Sequence, residues 1–593
     1  MPHYRAPLLD YRFIVTEFLQ LERYTEVPGY SDLSPDMLQT FLAAAARICE
    51  EVAQPLNQSG DAEGCCWKAG EVTTPSGFRD AYRRFAADGW IGLAFDPAWG
   101  GKGLPGVLAE SFGEMLASAN MAFSGYIELS EAVFRSINDH GSDAQKRIYL
   151  PKLAAGDWTG AMALTEAQAG SDLRLLSTRA LPQPDGTYRL HGTKAFITNA
   201  AHDLADNIVH LVLARLPDTP PGNRGISLFV VPKFLPDESG RSTVANGVLC
   251  TGIEEKLGIH GSPTCALSLT DAVGWLVGPP NKGLACMFTM INHARASVGL
   301  QGLAVAERAR QASIAYAMER RQGRAATPGA RRADGADLLV EHPDVRRMLL
   351  TQKALIESCR LLAYYTVLQI DRAERATDAA ARLEAEEELA LLTPLVKAVL
   401  TDCGIEVTQL AVQIHGGHGY IRETGVEQLA RDARITSIYE GTNGIQALDF
   451  LVRKVLPAGG TVVRRMIDRI LSDHASLEID AQLSTLRQMA AEHLAEWQRL
   501  TDELLRASQS DPNAALAAAT DYLMFAGYTM LACCSFDLAA CAAGQADAEF
   551  AAGKRETARF FFERLLPRAR MHASALRSGP ASTMNITAAQ IAG

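Results

Sequence analysis

The chain has 593 residues, 48% of them hydrophobic and 21% charged, with a formal net charge of -11 at pH 7. That balance excludes a chain too polar to bury a core, and it argues against a general nucleic-acid binder, which needs clustered Lys and Arg to neutralise phosphates. Length alone predicts three to four units of about 150 residues each.

The first 24 residues, MPHYRAPLLDYRFIVTEFLQLERY, carry charges at Arg5, Asp10, Arg12, Glu17 and Glu22 that interrupt every apolar run. Neither a signal peptide nor a membrane span is expected there, and a cytoplasmic protein follows. The 11 cysteines are scattered without a CxxC pair, and the adjacent Cys65-Cys66 and Cys533-Cys534 do not suit metal ligation. They read as reduced thiols, so no metal site is expected.

Residues 1–35 form a leader with a turn at Pro28-Gly29-Tyr30-Ser31. Leu33-Ser34-Pro35-Asp36 then has the look of a helix start, with Pro just inside the cap. An N-terminal helical domain is expected over 36–157, on the three-to-four spacing of Phe41, Ala44, Ala45 and Ile48, and of Phe112, Met115 and Leu116. Inside it the stretch 89–105, GWIGLAFDPAWGGKGLP, cannot continue a helix. Its GGxG run with Lys102 suits an anion cradle and equally an exposed turn.

From about Pro151 the texture changes to β-branched residues, Gly and Pro, which predicts a middle β domain over 158–285. Strands are expected at 188–191, 208–214 and 226–231, with turns at Pro184-Asp185-Gly186 and Pro220-Pro221-Gly222. Helix returns in a bundle over 286–456, where Gly299, Gly302 and Ala306 would let a neighbouring helix come close. The stretch 322–342, with three Gly, one Pro and three Arg, reads as a surface loop. Two long helices follow, at about 343–376 and 381–415.

Tyr439-Glu440-Gly441-Thr442 then sits between a strand-like or helix-end run (Ile435, Ser437, Tyr439) and an apolar helical stretch over 445–455. A lone carboxylate there can simply favour the following helix, since an acid at a helix start gains about 0.3–1 kcal/mol and a Thr satisfies backbone donors. His415 and His418 form a His-x-x-His pair without the Glu or Cys that would complete a zinc set. A C-terminal helical domain closes the chain over 457–593, with helical patterning at 466–471, 483–505, 514–543 and 549–576. Nothing in it suggests chemistry. The fold class is therefore α+β, with a β domain between helical ones.

Several of these stretches together resemble the acyl-CoA dehydrogenase family. They are QIHGGHGY, LARDAR and IYEGTNGIQ late in the chain, ALTEAQAGSD at 163–172, KAFITNA at 194–200, and the closing β segment 254–284. The resemblance implies that Glu440 is the base that removes the α-proton of an acyl-CoA thioester, with FAD as the hydride acceptor and an electron-transfer flavoprotein as the next carrier. A base is needed because the α-proton is weakly acidic, and burial that raises a carboxylate's pKa suits it to the task. No side chain can accept hydride.

The same resemblance implies that Thr165 and Thr198 hydrogen-bond the flavin and that Phe196 covers one ring face, where the family more often has Trp. A structural cross-strand aromatic would look alike. Ser171 is implied near CoA or the flavin phosphates, and Arg295 near the pantetheine, with Asn292 where an Asp is commoner. Arg320 is implied at the FAD pyrophosphate of a neighbouring subunit; Gly323 replaces the expected Phe, which puts the adenosine contact in doubt. Gln413, Gly416 and Gly417 match a QxxGG that reaches across a dimer interface to FAD; beside the base, Thr442 is implied at the cofactor and Tyr439 and Gly441 at the substrate. Trp99-Gly100-Gly101 falls where the family has a loop near the acyl pocket. The basic loop at 322–342 is a solvated connection or a contact for the CoA phosphate.

A longer bacterial form of the family, including the group acting on 3-methylmercaptopropionyl-CoA and on fatty acyl-CoAs, carries a tail of this kind. The partners implied are acyl-CoA, electron-transfer flavoprotein and a second copy of the chain, without nucleic acid or membrane insertion. Two alternatives stand beside this reading: an acyl-CoA oxidase that uses oxygen, and a DNA-associated protein of the same fold, which the acidic total disfavours.

Overall fold

The computed structural model describes residues 3–237, 240–326 and 335–593, without the side chains of 243 and 288–292. The tip of the loop at 322–342, with Arg331 and Arg332, and the Asn292 side chain lie outside the described residues. In chain order the elements are α1 (Leu8–Arg12), α2 (Pro35–Ile48), α3 (Pro55–Glu63), β1 (Cys66–Lys68), β2 (Glu71–Thr73), α4 (Phe78–Ala87), α5 (Gly106–His140) and α6 (Asp143–Ala155). Then come β3 (Trp158–Ala163), β4 (Arg179–Pro182), β5 (Tyr188–Thr198), β6 (Asn207–Arg215), β7 (Ile226–Pro232), β8 (Phe234–Pro236), β9 (Ser242–Ala245), β10 (Val248–Ile253) and β11 (Thr264–Val277). Helices return with α7 (Gly283–Glu319), α8 (Pro343–Arg375), α9 (Ala379–His415), α10 (Val426–Ala433) and α11 (Asn443–Leu448). The tail holds α12 (Thr461–Ala475), α13 (Ala481–Ser510), α14 (Pro512–Ala542), α15 (Ala548–Phe560) and α16 (Pro567–Arg577).

The chain groups into two compact units, one of residues 3–6 and 41–297, the other of 7–40 and 298–593, apart from the first two residues. In the first unit the N-terminal helices and the β region share a core. Its seven-stranded sheet runs β10-β11-β5-β4-β6-β3, with β7 paired to both β11 and β6. β6 is buried along nearly its whole length, so both its faces are covered, and its sequence is mostly apolar with His210 buried in the middle. Alternation still sorts its side chains: Val209, Leu211 and Leu213 join a cluster with Val133, Phe134, Ile137, Tyr149 and Leu153 of α5 and α6. Ile208, Val212 and Ala214 join Ile197, Phe229, Val231 and Leu267 on the other face.

One feature of this unit escaped the helical reading of its N-terminal part. The hairpin β1–β2 turns on Ala69 and Gly70, both in the left-handed region (φ +52° and +92°), as a tight two-residue hairpin demands. It buries Val72 in the sheet core, and Trp67 Nε1 donates to Cys250 O at 3.1 Å. Strands of three residues are too short to show a period.

In the second unit the long helices cross at glycines. A Cβ on Gly302 of α7 would lie 2.9 Å from Thr401 Cα, and one on Gly404 of α9 would lie 2.5 Å from Gly302 O. The closeness expected of the small residues in α7 is therefore met by α9. The apolar helix α14 is long enough to cross a membrane, yet 83% of its most apolar 18-residue window is buried inside the protein. A core helix gives that pattern; a Cβ on its Gly527 would meet Val399 of α9 at 2.5 Å. The leader packs in this unit too, with Tyr11, Phe13 and Tyr30 buried and the Tyr30 hydroxyl donating to Asp371 Oδ2 at 2.5 Å.

Candidate active site

α10 runs directly into a 3-10 turn, Arg434–Ser437, so of the two readings of the approach to Glu440 the helix end is the one adopted. The chain then reverses through Glu440 (φ +52°) and Gly441 (φ +86°), both left-handed. For Gly441 this is free; for a glutamate it costs about 1–2 kcal/mol. Such strain persists only where the surroundings over-determine it.

Here they do. Gln446, fully buried on α11, donates from Nε2 to Glu440 O at 3.3 Å and to Gly441 O at 3.1 Å. Thr442 Oγ1 accepts from Ile445 N at 3.3 Å and is the N-cap of α11. Asn443 is bonded into α9 through Lys397, Ala398, Thr401 and Asp402. The capping role that a lone carboxylate could have filled thus belongs to Thr442, and Glu440 itself is half-buried. The Tyr439 hydroxyl donates to Gln301 Oε1 on α7, which ties the residue before Glu440 to that helix.

In the first unit the loop after β3 carries Thr165, and the C-terminal end of the interior strand β5 carries Phe196 and Thr198. Between β5 and β11 the register jumps from Cys265↔Ile197 to Leu267↔Lys194, which places a bulge at Ala195–Phe196. Phe196 takes φ +58°, and its ring is 62% exposed although it lies on a sheet strand. Bulges re-aim side chains in this way. Ala195 N, within the bulge, donates to Thr165 O at 3.0 Å, so the loop carrying Thr165 is stitched to the strand carrying Phe196 and Thr198.

The loop itself is held by an ion pair whose role the sequence did not reveal. Glu166 and Lys194 are 2% and 0% exposed in their side chains and 2.9 Å apart. Glu166 also accepts from Ser177 N (2.8 Å), Ser177 Oγ (2.6 Å), Thr178 N (3.1 Å), Thr178 Oγ1 (2.6 Å) and Gln168 Nε2 (2.7 Å). Lys194 Nζ donates further to Leu164 O at 3.0 Å. Burial works to raise the Glu166 carboxyl pKa, but Lys194 and these donors outweigh it and hold the group at about 2. Burial pulls Lys194 down to about 8, with Glu166 offsetting part of the loss. Both residues stand inside the TE and KAFITNA stretches, but nothing in sequence says that groups 28 residues apart are paired.

The remaining expected residues fall in two places. Ser171 is exposed on the Thr165 loop, and Arg295 is buried at 8% exposure in the first unit. In the second unit Arg320 lies one helical turn past Tyr316, its backbone N–H donating to Tyr316 O at 2.8 Å. Tyr316 stacks on His415 (4.3 Å, 23°) and its hydroxyl lies 3.1 Å from His418 Nδ1. His415 is buried, its pKa lowered by that burial, and its Nδ1 bonds Ala411 O. Gly416 and Gly417 are exposed beside them, Gln413 just before, and a Cβ on either glycine would meet nothing within 4 Å. Among the described residues no group of three or more His, Cys, Asp or Glu is placed to hold a metal ion.

Comparison with known proteins places these features in order. Family models match for the acyl-CoA dehydrogenase N-terminal domain (residues 36–157), its middle domain (161–272), its C-terminal domain (281–455) and an acetyl-CoA dehydrogenase C-terminal-like domain (463–587). The chain is 43% identical to a 3-methylmercaptopropionyl-CoA dehydrogenase of Ruegeria pomeroyi, over 95% of this chain and 96% of that one. It is 32% identical to a broad-specificity linear acyl-CoA dehydrogenase of Mycobacterium tuberculosis, over 96% of each. Its fold is similar to that of an acyl-CoA dehydrogenase of Bacillus anthracis complexed with FAD, with a TM-score of 0.74 at 23% identity, covering 93% of this chain and 90% of that one. The chain belongs to the acyl-CoA dehydrogenase family.

Proposed function

We propose that the protein removes the α and β hydrogens of an acyl-CoA thioester to give the trans-2-enoyl-CoA, with Glu440 as the base. The observation that carries this reading is the strained backbone of Glu440, held left-handed by Gln446 while Thr442 takes over the helix cap. A carboxylate fixed at a turn at the cost of strain suits proton abstraction, where reach and orientation decide the rate. The Glu440 backbone amide is the expected donor to the thioester oxygen.

The residues of the first unit fit a flavin. An exposed aromatic re-aimed by a bulge, on a strand whose backbone is bonded to the loop that carries Thr165, offers a ring face to a flat group. FAD, when bound, supplies the hydride-accepting chemistry that no side chain has. Thr165 and Thr198 would hold the ring, with Phe196 against one face. Arg320, Gln413, Gly416 and Gly417 would meet the adenosine and pyrophosphate of a cofactor bound in a second copy, so at least a dimer is proposed. Arg295 and Ser171 would meet the CoA, and electrons would leave to an electron-transfer flavoprotein in the cytoplasm. The similarity to the Ruegeria pomeroyi enzyme favours a short thioether acyl group as the first substrate to test.

The test is anaerobic titration of the purified yellow protein with acyl-CoAs of graded length and with 3-methylmercaptopropionyl-CoA. The wild type is expected to bleach. Glu440→Gln is expected to keep its flavin and to lose bleaching by several orders of magnitude; a variant that bleaches at the normal rate would overturn the assignment.

A further inference from the structure

We infer that Asn443 is a positioning residue for the base, the hub of a Lys397–Asn443–Asp402 relay that anchors α11 to α9 and so holds the Glu440 turn. The inference rests on Glu440 being the base.

The Asn443 carboxamide is saturated. Its Oδ1 accepts from Lys397 Nζ at 2.9 Å. Its Nδ2 donates to Asp402 Oδ1 at 2.7 Å, and has Thr401 Oγ1 at 3.0 Å and Ala398 O at 3.2 Å as further acceptors. The Thr401 hydroxyl has a single proton, which the carbonyl of Lys397 takes at 2.8 Å, so toward Asn443 it acts as an acceptor. One amide therefore sits between an ammonium and a carboxylate, with its oxygen toward the cation and its nitrogen toward the anion. Reversing it would break both ends, so only one orientation is allowed.

Lys397 has no exposed surface at all, in the middle of a helix whose neighbours Leu395, Val396, Ala398, Val399 and Leu400 are buried too. A leucine or methionine there would pack α11 at less desolvation cost, because buried charges seldom add stability. What a directional polar network gives instead is a single register between two elements. Burial raises the pKa of Asp402, while Asn443 and Lys397 pull it back.

The register matters because of what α11 carries at its next turn. Asn443 is the first residue of α11, and Gln446, three residues on, is the residue that grips the carbonyls of Glu440 and Gly441. The path from Lys397 to the backbone of the base therefore runs through one amide, one turn of helix and a second amide. Releasing Asn443 lets α11 shift, and Glu440, strained as it is, relaxes with it. A displacement of about 1 Å at a reacting group costs on the order of 100-fold in rate.

The experiment measures four quantities on the flavin-loaded protein: flavin content, thermal midpoint, acyl-CoA affinity, and the limiting rate of anaerobic bleaching. Exchange of the substrate's α-hydrogen in D2O, read by mass, reports on the base alone. For Asn443→Ala we expect flavin content and affinity within about threefold of wild type, with bleaching and α-exchange both falling on the order of 100-fold. Asn443→Asp keeps the acceptor for Lys397 but turns an oxygen toward the Asp402 carboxylate where the amide donated, and is expected to bleach no faster than Asn443→Ala. A purely structural role would lower the thermal midpoint and leave the limiting rate of the folded fraction unchanged, and that result in Asn443→Ala overturns the inference. Should Asn443→Ala not fold, Lys397→Gln takes its place, and an unchanged limiting rate there overturns the inference equally. If Glu440→Gln is inactive while Asn443→Ala is normal, the relay alone is wrong; if Glu440→Gln bleaches normally, the base is wrong.

Discussion

A glutamate with φ +52° and a phenylalanine with φ +58° stand in backbone conformations that glycine would occupy without strain. Each is held there by hydrogen bonds of its neighbours: Gln446 to the Glu440 turn, and Ala195 to Thr165 beside Phe196. At this scale the pair Glu166–Lys194 makes the sharpest prediction. Lys194→Met leaves a carboxylate buried among neutral donors and is expected to cost about 3–5 kcal/mol in urea unfolding, with loss of bound flavin. The carboxyl of Glu166 is depressed to about 2 from an ordinary 4.5, so its contribution is complete above pH 4.5 and drains away as pH falls from there toward 2. Glu166→Gln is therefore expected to flatten the acid limb of a stability–pH curve over that window, while a variant curve parallel to wild type would refute the cause. Motifs singled out Thr165, Phe196, Thr198 and Glu440 as candidates, because each sits in a short stretch of distinctive chemistry. Burial and pairing were not legible, since Lys194, Lys397 and Gln446 read in sequence as ordinary polar residues.

Elements were legible where they were long. The helices expected at about 343–376 and 381–415 are found as α8 and α9, and the strands expected at 188–191, 208–214 and 226–231 as β5, β6 and β7. What local pattern cannot supply is the partner. The glycines of α7 announced a close neighbour, but that neighbour is α9, about a hundred residues further on. A methyl added at Gly302 would meet Thr401 Cα at 2.9 Å and Leu400 O at 3.0 Å, and backbone atoms cannot rotate aside. Gly302→Ala is therefore expected to cost about 1–3 kcal/mol by thermal unfolding. It should also slow flavin bleaching, because the helix pushed away is the one that bears Lys397; a slower rate with an unchanged midpoint would contradict this order of events. The wide turns that continue α11 over Asp449–Val455 were likewise invisible, as apolar spacing does not distinguish them from an ordinary helix.

For the molecule as a whole, the leader and the tail belong to the same unit as Glu440. Asp10 of α1 and Glu357 of α8 share the buried Lys554 of α15, at 2.7 and 3.3 Å, and Arg360 lies 3.7 Å from Asp10 and 3.0 Å from Glu307. Burial works against the charge on Asp10, yet Lys554 and Arg360 hold its pKa at about 2. Lys554→Met takes the shared cation from Asp10 and Glu357, leaving them Arg360 and Lys353, and is expected to cost about 3 kcal/mol, detected as a lower urea midpoint. Protonating Asp10 instead should mimic it, with stability present above pH 3.8 and lost as pH falls from there toward 2. Neither end of this cluster was legible, because its members come from opposite termini of a 593-residue chain.

Phe450, just beyond α11, lies 6.4 Å from the ring of Trp497 in the tail, in a stacked arrangement, and 5.6 Å from that of Tyr522. Those two rings, bonded to each other through Trp497 Nε1 and the Tyr522 hydroxyl at 3.1 Å, back the segment that continues α11, the helix that follows the Glu440 turn. Diversifying the tail in a laboratory library would therefore tune the elasticity of the reaction centre, and catalytic gains would surface at positions that never touch a substrate.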